Sequence, residues 1–172
     1  MDLTDMIMES GAVMFGEFTL TSGKKSSYYI NIKKAITKPV ILKKIAVEMS
    51  KKIGNEYIAG IELGSVPIAV AVSLEKMKDY VIVRKEQKSH GTGSLIEGEI
   101  MKNEKYVIIE DVVTTGMSVM KAVSSIRNEG GIVERVICVV DREEGGFENL
   151  KRENVHLESL LKVSELLEKR KA

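Results

Sequence analysis

Two adjacent carboxylates, Glu110 and Asp111, directly follow a short apolar run that is typical of a buried strand. The chain then passes through the hydroxyl residues Thr114 and Thr115 to Gly116 and enters a segment of helical periodicity. Open α/β sheets bind ligands at the carboxyl ends of their strands, and helix N-termini attract anions. This run therefore predicts a phosphate site beside two acids. The alternative is a strand, a helix cap and a solvated acidic pair.

A second group of chemically active residues lies between Arg84 and Ile100, where charge and glycine replace the hydrophobic pattern. It contains the cations Arg84, Lys85 and Lys88 and the titratable imidazole of His90. A loop of this kind can close over a polyphosphate, donate charge-assisted hydrogen bonds and withdraw to release product. The alternative is the solvated tip of a hairpin, which is what most runs of charge are.

Three further segments carry residue types that bind rings or anions. The β-rich stretch Phe15–Asn31 ends near the aromatic pair Tyr28–Tyr29, which ordinary strand alternation would also explain. Gly64 and Ser65 join a strand to a helix, where a ligand can approach the backbone closely. Arg142 follows an apolar strand and could bind a carboxylate, or form a surface ion pair with one of the two glutamates after it.

The composition excludes several kinds of site. The 172-residue chain has 26 basic and 25 acidic residues, and its net charge of +1 gives no overall attraction for nucleic acid. The one cysteine, Cys138, excludes an intrachain disulfide and a cysteine-based zinc site, and we expect it to be an inert core thiol. Ser22–Lys25 fails the Walker pattern, because no Ser or Thr follows Lys24. We expect a cytoplasmic chain with no signal peptide, no membrane or nucleic-acid partner and no metal held by its own side chains.

The elements that must position these residues alternate between β-rich runs and helical periodicity, which predicts an α/β fold with a mostly parallel central sheet flanked by helices. We expect one domain over residues 1–172, with a small N-terminal β-rich hood over roughly 1–35 and a flexible loop over roughly 85–99. Predicted helices begin at Pro39 (ending near Gly54) and span Val66–Glu75, Ser118–Asn128 and Lys162–Lys171; predicted strands are Tyr57–Glu62, Tyr80–Arg84, Lys105–Glu110 and Ile132–Val140.

The acidic run resembles the phosphoribosyl pyrophosphate (PRPP) signature of the type I phosphoribosyltransferases. The resemblance implies that the two acids bind the ribose hydroxyls and that the following loop cradles the 5′-phosphate. Glu110 stands where the family usually has a first Asp, so the charge is kept. The implied ribose and phosphate residues are Glu110, Asp111, Val112, Val113, Thr114, Thr115, Gly116, Met117 and Ser118.

The basic loop resembles that of the orotate phosphoribosyltransferase family, whose pattern Arg-Lys-x-x-Lys-x-His-Gly is complete here, ending at His90 and Gly91. In that family the loop covers the active site of a partner subunit. The resemblance therefore implies a homodimer in which Lys88 and His90 act in trans. The implied catalytic residues are Lys88, His90, Arg84, Lys85 and Asp111, and those for the departing pyrophosphate are Leu63, Gly64, Ser65, Arg84, Lys85, Lys88 and His90.

The aromatic pair and the Asp-Arg-x-Glu-Gly element that begins at Asp141 resemble the same family. They imply an orotate site in which the arginine binds the carboxylate of the base, formed by Tyr28, Tyr29, Thr114 and Arg142. Two departures reduce the fixed positive charge: Thr21 and Gly64 stand where bacterial members often have lysine.

The implied reaction transfers the phosphoribosyl group of PRPP to orotate, giving orotidine 5′-monophosphate and pyrophosphate in the synthesis of UMP. The implied cofactor is Mg²⁺, held mainly by substrate and water. Two alternatives remain: a phosphoribosyltransferase for another nucleobase, and a non-catalytic nucleotide-sensing regulator on the same fold. A regulator would not need Arg84, Lys88 and His90 together.

Overall fold

The computed structural model describes residues 1–19, 23, 25–86 and 94–169. Within these ranges, no helix is both long and apolar enough to cross a membrane. The helices are α1 (Leu3–Glu9), α2 (Ile32–Ile36), α3 (Pro39–Ser50), α4 (Val66–Lys76), α5 (Met117–Asn128), α6 (Gly146–Arg152) and α7 (Val163–Lys169). The strands are β1 (Val13–Thr19), β2 (Lys25–Ile30), β3 (Tyr57–Ile61), β4 (Tyr80–Val83), β5 (Ile96–Glu97), β6 (Lys105–Val113), β7 (Ile132–Asp141) and β8 (His156–Lys162).

Six strands form the central sheet in the order β5-β4-β3-β6-β7-β8. All neighbouring pairs are parallel except β4 and β5. One face packs against α1 to α4 and α7, and the other packs against α5 and the end of α6. Because both faces are covered, β6 is buried from Tyr106 to Asp111 and reads as a nearly continuous apolar run. This confirms the predicted α/β class with a mostly parallel sheet.

The N-terminal hood contains the antiparallel pair of β1 and β2, with Val13 opposite Ile30. Helix α1 precedes this pair, and the short helix α2 follows it at once. Ile32, Ala35 and Ile36 of α2 are buried in the main core, so the hood is fixed to the sheet domain. The predicted β-rich hood is confirmed as a small separate sheet.

The end of α5 shows how local sequence sets an element boundary. The Gly131 N–H donates to the Ile126 carbonyl and the Gly130 N–H to the Arg127 carbonyl, both at 3.0 Å. Gly130 has φ +95°. This is a Schellman motif, in which glycine takes the left-handed conformation at little cost. The glycine pair was expected to end this helix, and it does.

The C-terminal part of the sheet differs from the prediction. Strand β8 and helix α6 were not expected, and β8 forms the edge of the sheet beside β7. Its burial pattern mixes exposed, half-buried and buried residues, so its sequence lacks the continuous apolar run that marked the inner strands. Helix α7 starts at Val163, one residue later than predicted, because Lys162 still pairs with Asp141 of β7.

Cys138 lies in β7, opposite Glu110 of β6, and its side chain is fully buried. Burial raises the pKa of this thiol well above its ordinary value, and the carboxylates of Asp141 and Glu110 raise it further. A thiol in this state is a poor nucleophile, as expected for a core cysteine.

Candidate active site

Both acids lie inside β6, whereas the predicted strand contained Glu110 and left Asp111 just beyond its end. The predicted strand ended at Glu110, but pairing with β7 continues to Val113, opposite Asp141. Both acids are buried, and each accepts a hydrogen bond from the next residue. The Asp111 N–H donates to Glu110 Oε1 at 3.0 Å, and the Val112 N–H donates to Asp111 Oδ1 at 2.9 Å. The strand therefore holds both carboxylates at fixed positions near its carboxyl end.

Burial makes Glu110 an unusual carboxyl. It raises the pKa of Glu110 well above the ordinary glutamate value, and the neighbouring charge of Asp111 raises it further. The ammonium of Lys33 acts in the opposite direction, with a smaller effect. Glu110 consequently binds its proton more tightly than a solvated glutamate.

Lys33 is a residue of the site that the sequence analysis missed. Its Nζ lies 3.2 Å from Asp111 Oδ2, although its side chain is 59% exposed. Lys33 comes from α2, far from Asp111 along the chain, and in sequence it is one of two adjacent lysines on a short helix. No local pattern distinguishes it from a solvated lysine, because the contact depends on how α2 packs beside β6.

The predicted phosphate loop joins β6 to α5. Gly116 precedes α5 with φ +81°, and no side chain in the described part of the chain caps this helix. Its first N–H groups are therefore left for another acceptor. Thr115, Met117 and Ser118 are exposed, and Thr114 is half-buried.

Helix α6 packs against the backbone of this loop. The side-chain amide of Asn149 donates to the Thr115 carbonyl at 2.9 Å. Gly146 lies so close that a Cβ atom there would be 2.6 Å from the Thr114 carbonyl oxygen. Sequence reasoning missed this support because α6 itself was not predicted.

The segment from Leu63 to Ser65 forms a tight turn between β3 and α4. Leu63 is exposed, and the Ser65 side chain is fully buried. Ser65 Oγ accepts from the Ile61 N–H at 2.6 Å and donates to the Ile61 carbonyl at 2.9 Å. Ser65 thus stabilises the turn. The backbone of Gly64 lies directly against the Asp111 carboxylate, where a Cβ atom would be 2.3 Å from Oδ2.

Arg142 and Tyr28 form a second contact between distant segments. The Arg142 N–H donates to the Val113 carbonyl at 2.9 Å, which fixes it beside the end of β6. Its guanidinium carbon lies 5.5 Å from the centre of the Tyr28 ring, and Nη2 pairs with Glu144 Oε1 at 2.8 Å. The buried Arg142 Nε has no hydrogen-bond partner among the described residues. Tyr29 is 39% exposed and points away from this contact, so the two tyrosines alternate in and out.

The root of the basic loop lies beside the start of the turn between β3 and α4, where the Lys85 N–H donates to Glu62 Oε2 at 3.2 Å. The Arg84 N–H donates to the Leu95 carbonyl at 2.7 Å, and Arg84 Nη1 pairs with Glu97 Oε1 at 3.1 Å. Lys85 is exposed. Both line a cavity of about 760 Å³ together with Met117 and Ser118, two of the predicted phosphate residues. Of the remaining predicted residues, Thr21, Lys88, His90 and Gly91 lie outside the described residues.

Comparison with known proteins identifies the family. Residues 33–159 match the model described as a phosphoribosyl transferase domain. Orotate phosphoribosyltransferase of Picrophilus torridus is 54% identical over 164 residues, which cover 95% of this chain and 99% of that protein. The chain belongs to the orotate phosphoribosyltransferase family.

Two solved structures carry the same fold. Orotate phosphoribosyltransferase from Aeropyrum pernix is 33% identical with a TM-score of 0.87, and the match covers 98% of this chain and 97% of that one. Leishmania donovani UMP synthase is 32% identical with a TM-score of 0.84. That match covers 96% of this chain but only 36% of the Leishmania chain, so this chain spans about a third of that protein.

The structure of this orotate phosphoribosyltransferase family member brings together part of the predicted site. Asp111 meets Gly64, and Arg142 meets Tyr28 near the end of β6. Arg84 and Lys85 line a cavity with Met117 and Ser118, which belong to the predicted phosphate loop.

Proposed function

We propose that this protein transfers the 5-phosphoribosyl group of PRPP to orotate, forming orotidine 5′-monophosphate and pyrophosphate in the synthesis of UMP. The observation that carries the proposal is the 54% identity over nearly the whole length to an orotate phosphoribosyltransferase. The buried acid pair beside an uncapped helix N-terminus provides the chemistry that such a reaction requires.

The sugar donor would bind at the junction of β6 and α5. Glu110 and Asp111 would accept hydrogen bonds from the ribose hydroxyls. The loop Val112–Ser118 would bind the 5′-phosphate, because the open N–H groups and the dipole of α5 favour an anion. The hydroxyl groups of Thr114, Thr115 and Ser118 add donors. The contacts of Asn149 and Gly146 with this loop support a rigid, preformed site.

Orotate would bind between the hood and the end of β7. Arg142 suits its carboxylate because a guanidinium donates two parallel hydrogen bonds to a planar acceptor. The Nε of Arg142 is buried and has no hydrogen-bond partner among the described residues. Tyr28 lies over the same guanidinium and would stack near the pyrimidine, and Thr114 would contact its edge. The ring of Tyr29 lies on the other face of β2, 5.8 Å from the ring of Phe18 between centres, so the base would touch one ring of the pair.

The departing pyrophosphate would be bound by two loops. One is the turn at Leu63, Gly64 and Ser65, in which Leu63 is exposed and the hydrogen bonds of Ser65 Oγ with Ile61 fix the backbone. The other is the basic loop with Arg84, Lys85, Lys88 and His90. Arg84 and Lys85 line a cavity with Met117 and Ser118 of the proposed phosphate loop, and the resemblance of the basic loop to that of the orotate phosphoribosyltransferase family supports its action on a partner subunit in a homodimer.

The donor set fits a Mg²⁺ ion that arrives with the substrate. The described residues form no group of three or more His, Cys, Asp or Glu side chains that could enclose a metal. The hard oxygen atoms of Glu110 and Asp111 are nonetheless close to the proposed position of the ribose. Mg²⁺ usually keeps several water and phosphate ligands, and it would neutralise charge on the diphosphate.

The chemical step would break the bond between the anomeric carbon and the pyrophosphate oxygen and form a bond from that carbon to the pyrimidine nitrogen, which loses its proton. The transition state would resemble an oxocarbenium ion. The protein would hold the nitrogen in line and stabilise the negative charge that develops on pyrophosphate. His90 would donate a hydrogen bond or a proton, and neither acid would act as a nucleophile. We place this activity in the cytoplasm, a setting that suits a chain whose single cysteine can form no intrachain disulfide.

The proposal is tested by following the loss of orotate absorbance with PRPP, with and without Mg²⁺. The same assay should offer uracil, hypoxanthine and adenine in competition. We expect Mg²⁺-dependent consumption of orotate and none of the other three bases. Preferred use of another base would assign a different acceptor, and PRPP binding without turnover of any base would favour a regulator.

A further inference from the structure

Lys33 and Lys34 are adjacent on α2, but their side chains contact different parts of the protein. Lys33 Nζ lies 3.2 Å from Asp111 Oδ2. Lys34 Nζ is directed to the turn after α1, where it lies 3.0 Å from the position that a Cβ atom of Gly11 would take. Both residues are exposed. One of two otherwise similar lysines is thus directed at the acid pair, and the other provides a matched control.

The position of the Lys33 ammonium relates it to the diphosphate of the donor. The same Asp111 oxygen that pairs with Lys33 also lies against the backbone of Gly64. The ammonium is therefore next to both the acid that would bind ribose and the turn that would bind pyrophosphate. In PRPP the diphosphate is attached to the ribose at the anomeric carbon. The phosphate group nearest to the ribose would therefore come close to Lys33.

The local charge at the turn and the acid pair also favours a role for Lys33. Leu63, Gly64 and Ser65 contribute no positive side chain. Among the residues that the structure describes, Lys33 is the one cation that forms an ion pair with the acid pair. Lys33 would add to the positive charge of the basic loop and of Mg²⁺ at the point where the diphosphate comes closest to the two acids.

The Lys33–Asp111 pair is also suited to exchange. The lysine side chain is 59% exposed, and such pairs contribute little to folding stability because water screens them. A lysine ammonium is a compact charge on a flexible stem with three donors. It can leave Asp111 for a phosphate oxygen when the ribose hydroxyls take over the carboxylate.

We infer that Lys33 is a substrate-binding residue, which pairs with Asp111 in the free protein and moves to the diphosphate of PRPP when the donor binds. This inference rests on the proposed function for its ligand, but not on the identity of the base. In this role Lys33 would offset the charge of Asp111 before binding and would donate hydrogen bonds to the diphosphate after binding.

The test compares Lys33→Ala with the matched control Lys34→Ala by calorimetric binding of PRPP, pyrophosphate and ribose 5-phosphate in the presence of Mg²⁺ and without orotate. Loss of a charge-assisted contact should weaken PRPP and pyrophosphate binding by about tenfold or more. Ribose 5-phosphate, which has no diphosphate, should bind within about twofold of wild type. Lys33→Arg should recover much of the lost affinity, and Lys34→Ala should resemble wild type.

A purely structural pair would behave differently. Lys33→Ala would then lower the Tm without changing PRPP affinity, and this result would overturn the inference. Equal weakening by Lys34→Ala would overturn it too, since the effect would then be general electrostatics. If wild type binds PRPP but consumes no orotate, the proposed function fails while the Lys33 comparison still decides its own case. If wild type does not bind PRPP, both proposals fall.

Discussion

Gly64 and Asp111 are in such close contact that the three atoms nearest to a Cβ at residue 64 would all belong to the Asp111 carboxyl group, at 2.3, 2.7 and 3.0 Å. Distances below 3.0 Å require something to move. The turn between β3 and α4 can therefore pack against the acidic end of β6 only because residue 64 has no side chain. Any residue other than glycine at this position changes the place of Asp111.

Gly64→Ala should therefore displace the Asp111 carboxylate and impair binding of the sugar donor. We expect the KM for PRPP to rise about tenfold, together with a loss of stability of roughly 1–3 kcal/mol from overpacking. Steady-state kinetics and thermal unfolding measure the two effects. Gly54→Ala is the control, because a Cβ atom there would meet only Glu56 Oε2 at an ordinary 3.4 Å. Unchanged PRPP kinetics in Gly64→Ala would show that Asp111 can move without consequence.

Glu110→Gln should change how stability depends on pH. Burial raises the pKa of Glu110, so between the ordinary glutamate value near 4.3 and the raised value the folded protein holds more protons than the unfolded chain. Stability of the wild type then falls as pH rises through this window, and the loss remains at higher pH. The amide does not titrate, so the Tm of Glu110→Gln minus the Tm of the wild type should increase from acid to neutral pH.

The control for this experiment is Glu75→Gln on the exposed surface of α4, which makes the same change of side chain outside the site. Turnover by Glu110→Gln should drop about tenfold or more, because one acceptor for the ribose hydroxyls is weakened. Parallel pH profiles for wild type and Glu110→Gln would contradict the assignment of a raised pKa.

Arg142→Lys should separate recognition of the base from recognition of the donor. Lysine keeps the charge but loses the planar pair of donors and the stacking over Tyr28. We expect the KM for orotate to rise about tenfold while the KM for PRPP stays within about twofold. Glu144→Gln, which removes only the partner of Nη2, should alter either KM by less than about threefold. Equal effects of Arg142→Lys on both substrates would place Arg142 outside the orotate site.

Lys88→Ala should reduce turnover much more than it weakens binding. Removing one donor that stabilises developing charge costs on the order of 3–4 kcal/mol, which corresponds to roughly a hundredfold or more in kcat. Lys151→Ala, on the exposed face of α6, is the control and should leave kcat unchanged. A kcat of Lys88→Ala within about threefold of wild type would falsify the proposed role of the loop.

Mixed dimers test whether the basic loop acts on the partner subunit. Lys88→Ala and Asp111→Asn each remove one half of a site, so a mixed dimer contains one intact site if the loop acts in trans. Random mixing of the two inactive variants should then restore roughly a quarter of wild-type activity. Purified mixed dimers as inactive as both parents would mean that each chain completes its own site.

The predicted and missed parts of the site differ in how far apart their residues lie along the chain. The acid pair, the phosphate loop and α5 follow one another without interruption, so an apolar run, two acids, a glycine and a helical period were enough to place them. The Lys33–Asp111 pair depends on where α2 packs, and nothing in the sequence around Lys33 reports that. The contact of Asn149 was not predicted for a related reason. Its helix α6 is short, and the neighbouring edge strand β8 has a mixed pattern of buried and exposed residues.

Arg142 illustrates an intermediate case. The sequence offered two interpretations, an ion pair with a following glutamate and a ligand for a carboxylate. The structure contains the ion pair with Glu144, and the buried Nε of the same guanidinium has no partner in the part of the chain that the structure describes. A guanidinium has five donors, so one ion pair leaves room for the second role.

The burial of Cys138 opposite Glu110 gives the protein a built-in reporter. Since the chain has no second sulfhydryl, every molecule of an aromatic disulfide reagent that reacts under native conditions reports an opening of the sheet at this one position. The labelling rate, divided by the rate for the unfolded chain, yields the equilibrium for that opening without any engineered substitution. Ligands that bind to the neighbouring carboxylates should slow the labelling in proportion to the fraction of protein that has ligand bound.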